Sequence, residues 1–409
     1  MLSSIVVAIA FLGAAALLFS RRLQSSKDWQ ATVTPLASII GSGFLVSVPL
    51  LAGEVGNWAI IAMAALIAAA FLVGNAIRFN IRHGEPIFAN APKNPAIHLI
   101  QSFEKLSHFV LAFAYFISIA YYLVLLGNFL LKGIDTGHPD LPKMIATAIL
   151  TGLGALGFLK GLGMVERVER YAVGINLSVI AALIVGLAWY DGAALISGSL
   201  QFNDATPAFS LQKVQILLGL LIVVQGFETS RFMGDEFDAE TRISSMRRAQ
   251  IISTVIYLLF FALITPLFHF LGKDTGITAI IGLVGHVAII LPAMLTVGAV
   301  ASQFSASVAD SVGAGGLLRD ITQGKLALNH AYPLIALVSI AIIWNTDVFS
   351  IITLASQAFA MFYLVQCIVA FLIARENTAL PKRKRHMALY AVMAAFCLSI
   401  VMFGVPAGA

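Results

Sequence analysis

The sequence predicts an all-α integral membrane protein with about twelve transmembrane helices. Three observations predict this class. Hydrophobic residues make up 59% of the 409 and charged residues only 11%, a balance foreign to soluble domains of this length. The apolar residues gather into runs of roughly twenty, the length a helix needs to cross a bilayer. The basic residues fall in alternate loops, as membrane orientation requires.

The leading run, Leu2 to Phe19, reads as a retained span. It lacks a basic leading region and a convincing cleavage site, and Arg21 and Arg22 follow it, which is not the pattern of a signal peptide. Further spans are expected at 32–52, 57–79, 104–131, 142–159 and 169–190, then at 212–232, 248–271, 280–309, 331–344, 347–373 and 387–405. The one at 331–344 is short. One set of loops carries most of the arginine and lysine, from Arg21 and Arg22 through Arg78 and Arg82 to Lys382–Arg385. The opposite set holds little beyond Lys132, Lys143, Lys213 and Lys273. The first set is therefore expected in the cytoplasm and both chain termini outside.

The net charge of +5 follows from these loops, so orientation explains it and a nucleic-acid partner is not expected. Cys367 and Cys397 lie in expected spans and suggest no disulfide framework. Compact loops suit a bacterial cytoplasmic (inner) membrane, and the lipid bilayer is the expected surrounding. Removing the first and last spans leaves ten, or two groups of five. Five is odd, so the second group enters from the opposite side, as in an inverted repeat. The expected division is 1–29 for the leading helix and linker, 30–190 and 191–374 for the two repeats, and 375–409 for the basic loop and final helix.

Within the second span, Ile39 to Leu51 holds Gly41-Ser42-Gly43 and then Pro49. Glycine and proline both weaken a helix, and a spanning helix broken near its middle marks a binding site. The alternative is that the glycines only let a neighbouring helix come close. A second interruption, Gln225-Gly226-Phe227-Glu228-Thr229-Ser230-Arg231, opens the other group of five. The matching placement favours a transporter site.

These residues resemble the amino acid–polyamine–organocation (APC) superfamily of secondary transporters, whose fold is LeuT-like. Ile40-Gly41-Ser42-Gly43 looks like that family's first-helix signature and Gly226-Phe227-Glu228 like its sixth-helix signature. Gly234-Asp235-Glu236 through Arg247-Arg248-Ala249 resembles the acidic-then-basic segment that follows, and Ser305 to Asp310 resembles the end of the eighth core helix. Departures from the family pattern fall at Pro49 and at Asp238–Arg242. The resemblance implies a LeuT-like 5+5 inverted repeat with one extra helix before and one after. It also implies alternating access to a small-molecule solute, an amino acid or amine, between core helices one and six. Ser38, Gly41, Ser42 and Gly43 would then hold an anionic end. Gln225, Gly226, Phe227 and Glu228 would hold a cationic end, with one of Tyr121 and Tyr122 on the third core helix facing the solute. In sodium-coupled members of the fold, eighth-helix hydroxyls help bind the ion, which points to Ser305, Ser307 and Ser302 as a Na+ site. Ser305 and Ser307 are two apart, so a regular helix does not aim both the same way. No lysine stands between Leu162 and Ala193, which removes the version in which a fifth-helix lysine replaces the ion.

Ionisable residues inside spans need a role or a partner. Glu228 is expected to pair with Arg231 three residues on, or to contact a proton or substrate. Asp310 is expected as a cap or cytoplasmic ion pair at the inner end of its helix, Glu54 as a solvated group, and His286 as structurally partnered. No catalytic constellation appears, so an enzyme is not expected. A cation transporter (potassium, for example) and a non-transporting membrane sensor are the alternative readings.

Overall fold

A computed structural model describes residues 2–90, 95–134, 138–202, 210–234, 236–272 and 276–407, apart from the side chains of residues 42, 89, 90 and 163–170. Its described elements are all helical. The long helices are α1 (Leu2–Leu18), α2 (Lys27–Val55), α3 (Ala59–Phe79), α4 (Pro95–Leu131), α5 (Leu141–Lys160) and α6 (Gly163–Ile196). After the short α7 (Leu211–Leu218) come α8 (Ala239–Ile264), α9 (Leu291–Ile321), α10 (Leu328–Asn345), α11 (Val348–Glu376) and α12 (Arg383–Phe403). Each of the expected spans overlaps helix. Among the described residues nine helical runs are long and apolar enough to cross a membrane. One of them, Lys27–Phe88, contains both α2 and α3.

Helix starts follow from local chemistry. Ser26 caps α2, its hydroxyl accepting from Trp29 N at 3.4 Å, and Asp28 follows in the first turn, where a negative charge favours the helix dipole. Asp238 caps α8 by accepting from Thr241 N at 2.9 Å. Asp347 does the same for α11.

One expected boundary is corrected. The run at 280–309 is not one helix. A short helix, Ala279–Gly285, ends before His286, and α9 begins at Leu291 with Pro292 in its first turn. Proline fits there because the first turn's amides have no helical acceptor. The run at 212–232 is interrupted, as expected around Gly226, and regular helix ends before that point: α7 stops at Leu218, and two 3-10 turns follow at Leu221–Val224 and Phe227–Phe232.

The bundle is built around α4, which packs against α9, α11 and α5. From Leu123 to Gly127 this helix is buried on every side, so a core helix inside the bundle replaces the one-sided stripe of a surface helix. The interrupted stretch packs on α2, and α2 packs in turn on α8 and α9. At the periphery, α1 lies on α6 and α12 on α11. Cys367 and Cys397 are both buried and free.

Candidate solute site at the interrupted helix

The site is built where helical order fails between Leu218 and Phe232. Gln225 is extended (φ −83°, ψ 174°) and Gly226 has φ +114°, a conformation open to glycine and strained for residues with a Cβ. A Cβ on Gly226 would lie 2.5 Å from Ser38 Oγ and 2.6 Å from the Ser38 carbonyl carbon. Glycine thus serves both the turn and the approach to α2.

The first core helix differs from expectation. It runs unbroken through Gly41, Ser42 and Gly43 as part of α2, and Pro49 lies inside it. A regular helix spends its amides on its own carbonyls, so these residues offer no free amides to an anion. The glycines are there for close packing. A Cβ on Gly43 would meet Val223 Cα at 2.6 Å, and one on Gly41 would meet Ser302 Oγ at 3.2 Å. The Ser42 side chain lies outside the described residues. Two carbonyls of α2 still take donors from neighbours: Gln303 Nε2 donates to Gly41 O at 3.0 Å, and Tyr257 OH reaches Ile39 O at 3.3 Å. The same Tyr257 hydroxyl donates to Val223 O at 2.5 Å, so it clamps α2 to the interruption.

Glu228 is fully buried at the start of the second 3-10 turn. Its Oε2 accepts from Gly226 N at 3.0 Å and from Tyr363 OH at 2.6 Å. Its Oε1 is buried and has no hydrogen-bond partner among the described residues. Phe227 stacks on Tyr363 with ring centroids 5.2 Å apart and planes within 14°. Thr229 Oγ1 donates to Gly226 O at 2.8 Å, so that carbonyl has a local donor, and the negative character of the site centres on the Glu228 carboxylate. Gln225 Nε2 donates to Tyr122 OH at 3.1 Å. Tyr121, beside Tyr122 on α4, is fully buried, and its hydroxyl has no hydrogen-bond partner among the described residues.

Two expectations about charge are corrected here. Glu228 does not pair with Arg231: its carboxylate is turned to Gly226 N and to Tyr363 OH on α11. Arg231 instead reaches Glu104 Oε1 on α4 at 2.6 Å and donates to Gln366 on α11. Asp310 is not a cytoplasmic cap. It is buried more than two turns inside α9, accepts from Ser118 Oγ, and lies with Glu228 within electrostatic reach of Tyr115 and Tyr122. His286, as expected, has a structural partner: it stacks on Phe270 at 4.0 Å. Asp235, in the acidic-then-basic segment, lies outside the described residues.

Beside the interruption, a cavity of about 20 Å³ sits between α2, α6 and α9, space enough for one water-sized group. Ser38, Ser302 and Ser305 line it, with Thr34, Asn176 and Thr229. Asn176 Nδ2 donates to Ser302 Oγ at 3.1 Å. Ser307 is elsewhere: its hydroxyl donates to Phe304 O on its own helix, and it does not line the cavity. The spacing of three between Ser302 and Ser305 places both on one helix face; the spacing of two to Ser307 does not. Tyr363, Tyr257, Asn176 and Gln303 carry no motif that marks them in the sequence. Their only signal there is a polar group inside an apolar run.

A family model described as an APC superfamily transporter matches residues 21–404. An uncharacterized protein of Aquifex aeolicus (strain VF5) is 39% identical over 383 residues, covering 93% of this chain and 92% of that protein. In structure, the chain is similar to a manganese transporter of Eremococcus coleocola, at 10% identity and a TM-score of 0.53, over 91% of this chain and 87% of that one. It is also similar to a Na+-coupled sialic acid symporter, at 12% identity and a TM-score of 0.48, over 98% of each chain.

Proposed function

We propose that this chain, which belongs to the APC superfamily of transporters, is a secondary transporter of a small organic solute bearing an ammonium group, an amino acid or amine. The observation that carries this reading is Glu228: a carboxylate with no solvent exposure and one oxygen without a donor. A charge left so in the bundle interior is costly. An ammonium supplies both the countercharge and the missing donor, and the faces of Phe227 and Tyr363 add cation–π attraction. The intact α2 supports only the cationic half of an amino acid's recognition. A carboxylate group on the solute therefore has to find its donors elsewhere, and a simple amine needs none.

We assign transport to alternating access, with α2 and the interrupted stretch as the moving contact. Na+ is the proposed coupling ion, held by the oxygens of Ser38, Ser302 and Ser305. Sodium prefers several hard oxygen ligands, and these hydroxyls surround a space of its size. Glu228 and Asp310 also suit a bare cation such as potassium, which is the second reading.

Thermal unfolding of the purified protein against amines and amino acids, in sodium and then in choline, tests these readings. A ligand at about a hundred times its dissociation constant stabilises by roughly 2.7 kcal/mol. A sodium-dependent shift with one amine, lost in Glu228→Gln, is the expected result. Equal shifts in both salts remove sodium coupling. A shift with potassium alone, and none with any organic solute, replaces the amine reading with the cation reading.

A further inference from the structure

The basic residues at the end of α3 do more than sit in a loop. Arg78 is only 4% exposed. Its Nη1 donates to Gln250 Oε1 on α8, its Nη2 donates to Phe71 O at 3.3 Å, and its guanidinium lies 5.0 Å over the Phe71 ring. Those partners are neutral, and the buried Nε has none among the described residues. Arg247, exposed on α8, is close enough for its charge to act against that of Arg78. A buried cation facing a second cation is a costly arrangement unless an anion joins them.

A cavity of about 390 Å³ opens between these arginines, bounded by α3, α8, α12 and the segment at Leu380–Pro381. Arg78, Arg82, His83, Arg247, His386 and Tyr390 line it, and among the described residues no acidic side chain does. Arg82 is paired at its outer edge with Glu240, at 2.6 Å and in an exposed position. Tyr390 OH donates to Asn75 Oδ1 at 3.2 Å, which places that ring in the wall, beside His386. Fork-shaped arginine donors suit the paired oxygens of a phosphate. Basic pockets between membrane helices on the positively charged side are the expected receptors for anionic headgroups.

We propose that this cavity is a binding site for a phosphate group, held chiefly by Arg78 and Arg247, with an anionic phospholipid headgroup as the favoured source. The lipid source is favoured by position. The wall helix α12 is peripheral and leaves Val392 and Leu398 exposed, so acyl chains have an apolar surface next to the headgroup. An occupant would bridge α3 and α8 of the core to the final helix, and so stabilise their junction.

The test is thermal unfolding of the full chain in neutral detergent, titrated with phosphatidylglycerol, phosphatidylcholine or inorganic phosphate. Stabilisation by phosphatidylglycerol and not by phosphatidylcholine is expected. Arg247→Gln should raise the half-saturating concentration roughly fivefold to tenfold, the effect of losing one basic contact. Arg247 is exposed, so this variant is expected to fold. Arg248→Gln, at an exposed neighbour that pairs with Asp28, should leave the titration unchanged. A response to inorganic phosphate alone, weakened by Arg247→Gln, would assign the same site to a free phosphate compound. No response to any phosphate, or one equal in wild type and Arg247→Gln, would overturn the proposal.

Discussion

At the scale of single residues, the site depends on glycine for space and on glutamate for charge. Gly226→Ala meets both the positive φ and the Ser38 backbone. Strain of about 1–2 kcal/mol from the backbone adds to about 1–3 kcal/mol from overpacking. The variant should melt several degrees below wild type and lose uptake. Gly43→Leu should abolish transport and leave membrane insertion intact. The physical cause is collision with Val223, since α2 is not broken there. Retained uptake in that variant would show that α2 and the interruption need not stay in contact. Glu228→Gln keeps the acceptor oxygen for Gly226 N and Tyr363 OH but loses the charge, so folding should be preserved and amine binding lost. Gly226 and Glu228 were both legible in the sequence, because a glycine and a carboxylate inside an apolar run are conspicuous. Their partners were not, because Tyr363 stands 135 positions from Glu228 and only folding joins them.

At the scale of elements, Glu104, Arg231 and Gln366 tie α4, the end of the interrupted stretch and α11 together. Asn80 also donates to Gln366. Removing one partner of a buried ion pair costs about 3–5 kcal/mol, and replacing both with apolar groups costs much less. Glu104→Leu alone should therefore destabilise the protein more than Glu104→Leu combined with Arg231→Met. Melting of the two single variants and the double variant gives the coupling, and additive losses would remove the pair as a structural tie. At the start of α11, burial of Asp347 favours its neutral form. This is outweighed by hydrogen bonds from Ser350 Oγ and from the Ser350 and Phe349 amides, which hold the carboxyl below its usual value. A depressed folded value means the cap's contribution is full above the ordinary carboxylate range and fades as pH falls through the folded value. Asp347→Ala should cost about 0.5–2 kcal/mol at neutral pH. The gap to wild type should narrow in acid, and a gap that stays constant into acid would separate the cap from the carboxylate charge.

At the scale of the whole molecule, alternate loops carry the basic charge and the helices carry the apolar mass. That division is the pattern by which basic loops orient apolar helices in a bilayer. With Na+ as the proposed coupling ion, uptake into proteoliposomes should depend on a sodium gradient and fail when choline replaces sodium. Uptake that proceeds equally in choline would leave the cavity at Ser38, Ser302 and Ser305 without a coupling ion. The basic cavity beneath α12 also belongs to this scale, because α3, α8 and α12 form it from residues more than 300 positions apart.

The sequence by itself determined the fold class, the order of the spans, the interruption around Gly226 and the superfamily. Each of these is written in local composition or in short motifs. It could not distinguish a glycine that breaks a helix from one that admits a neighbour, since both roles ask only for a missing Cβ. Tertiary structure decided that α2 stays whole, because Gly43 faces Val223 and Gly41 faces Ser302. It decided that Arg231 pairs with Glu104 and not with Glu228, because packing brings Glu104 of α4 to the arginine and Tyr363 of α11 to the carboxylate. It also decided that Asp310 is buried against Ser118. Partner choice for a charge inside a bundle is fixed by which helices pack together, and that is set by the whole chain at once.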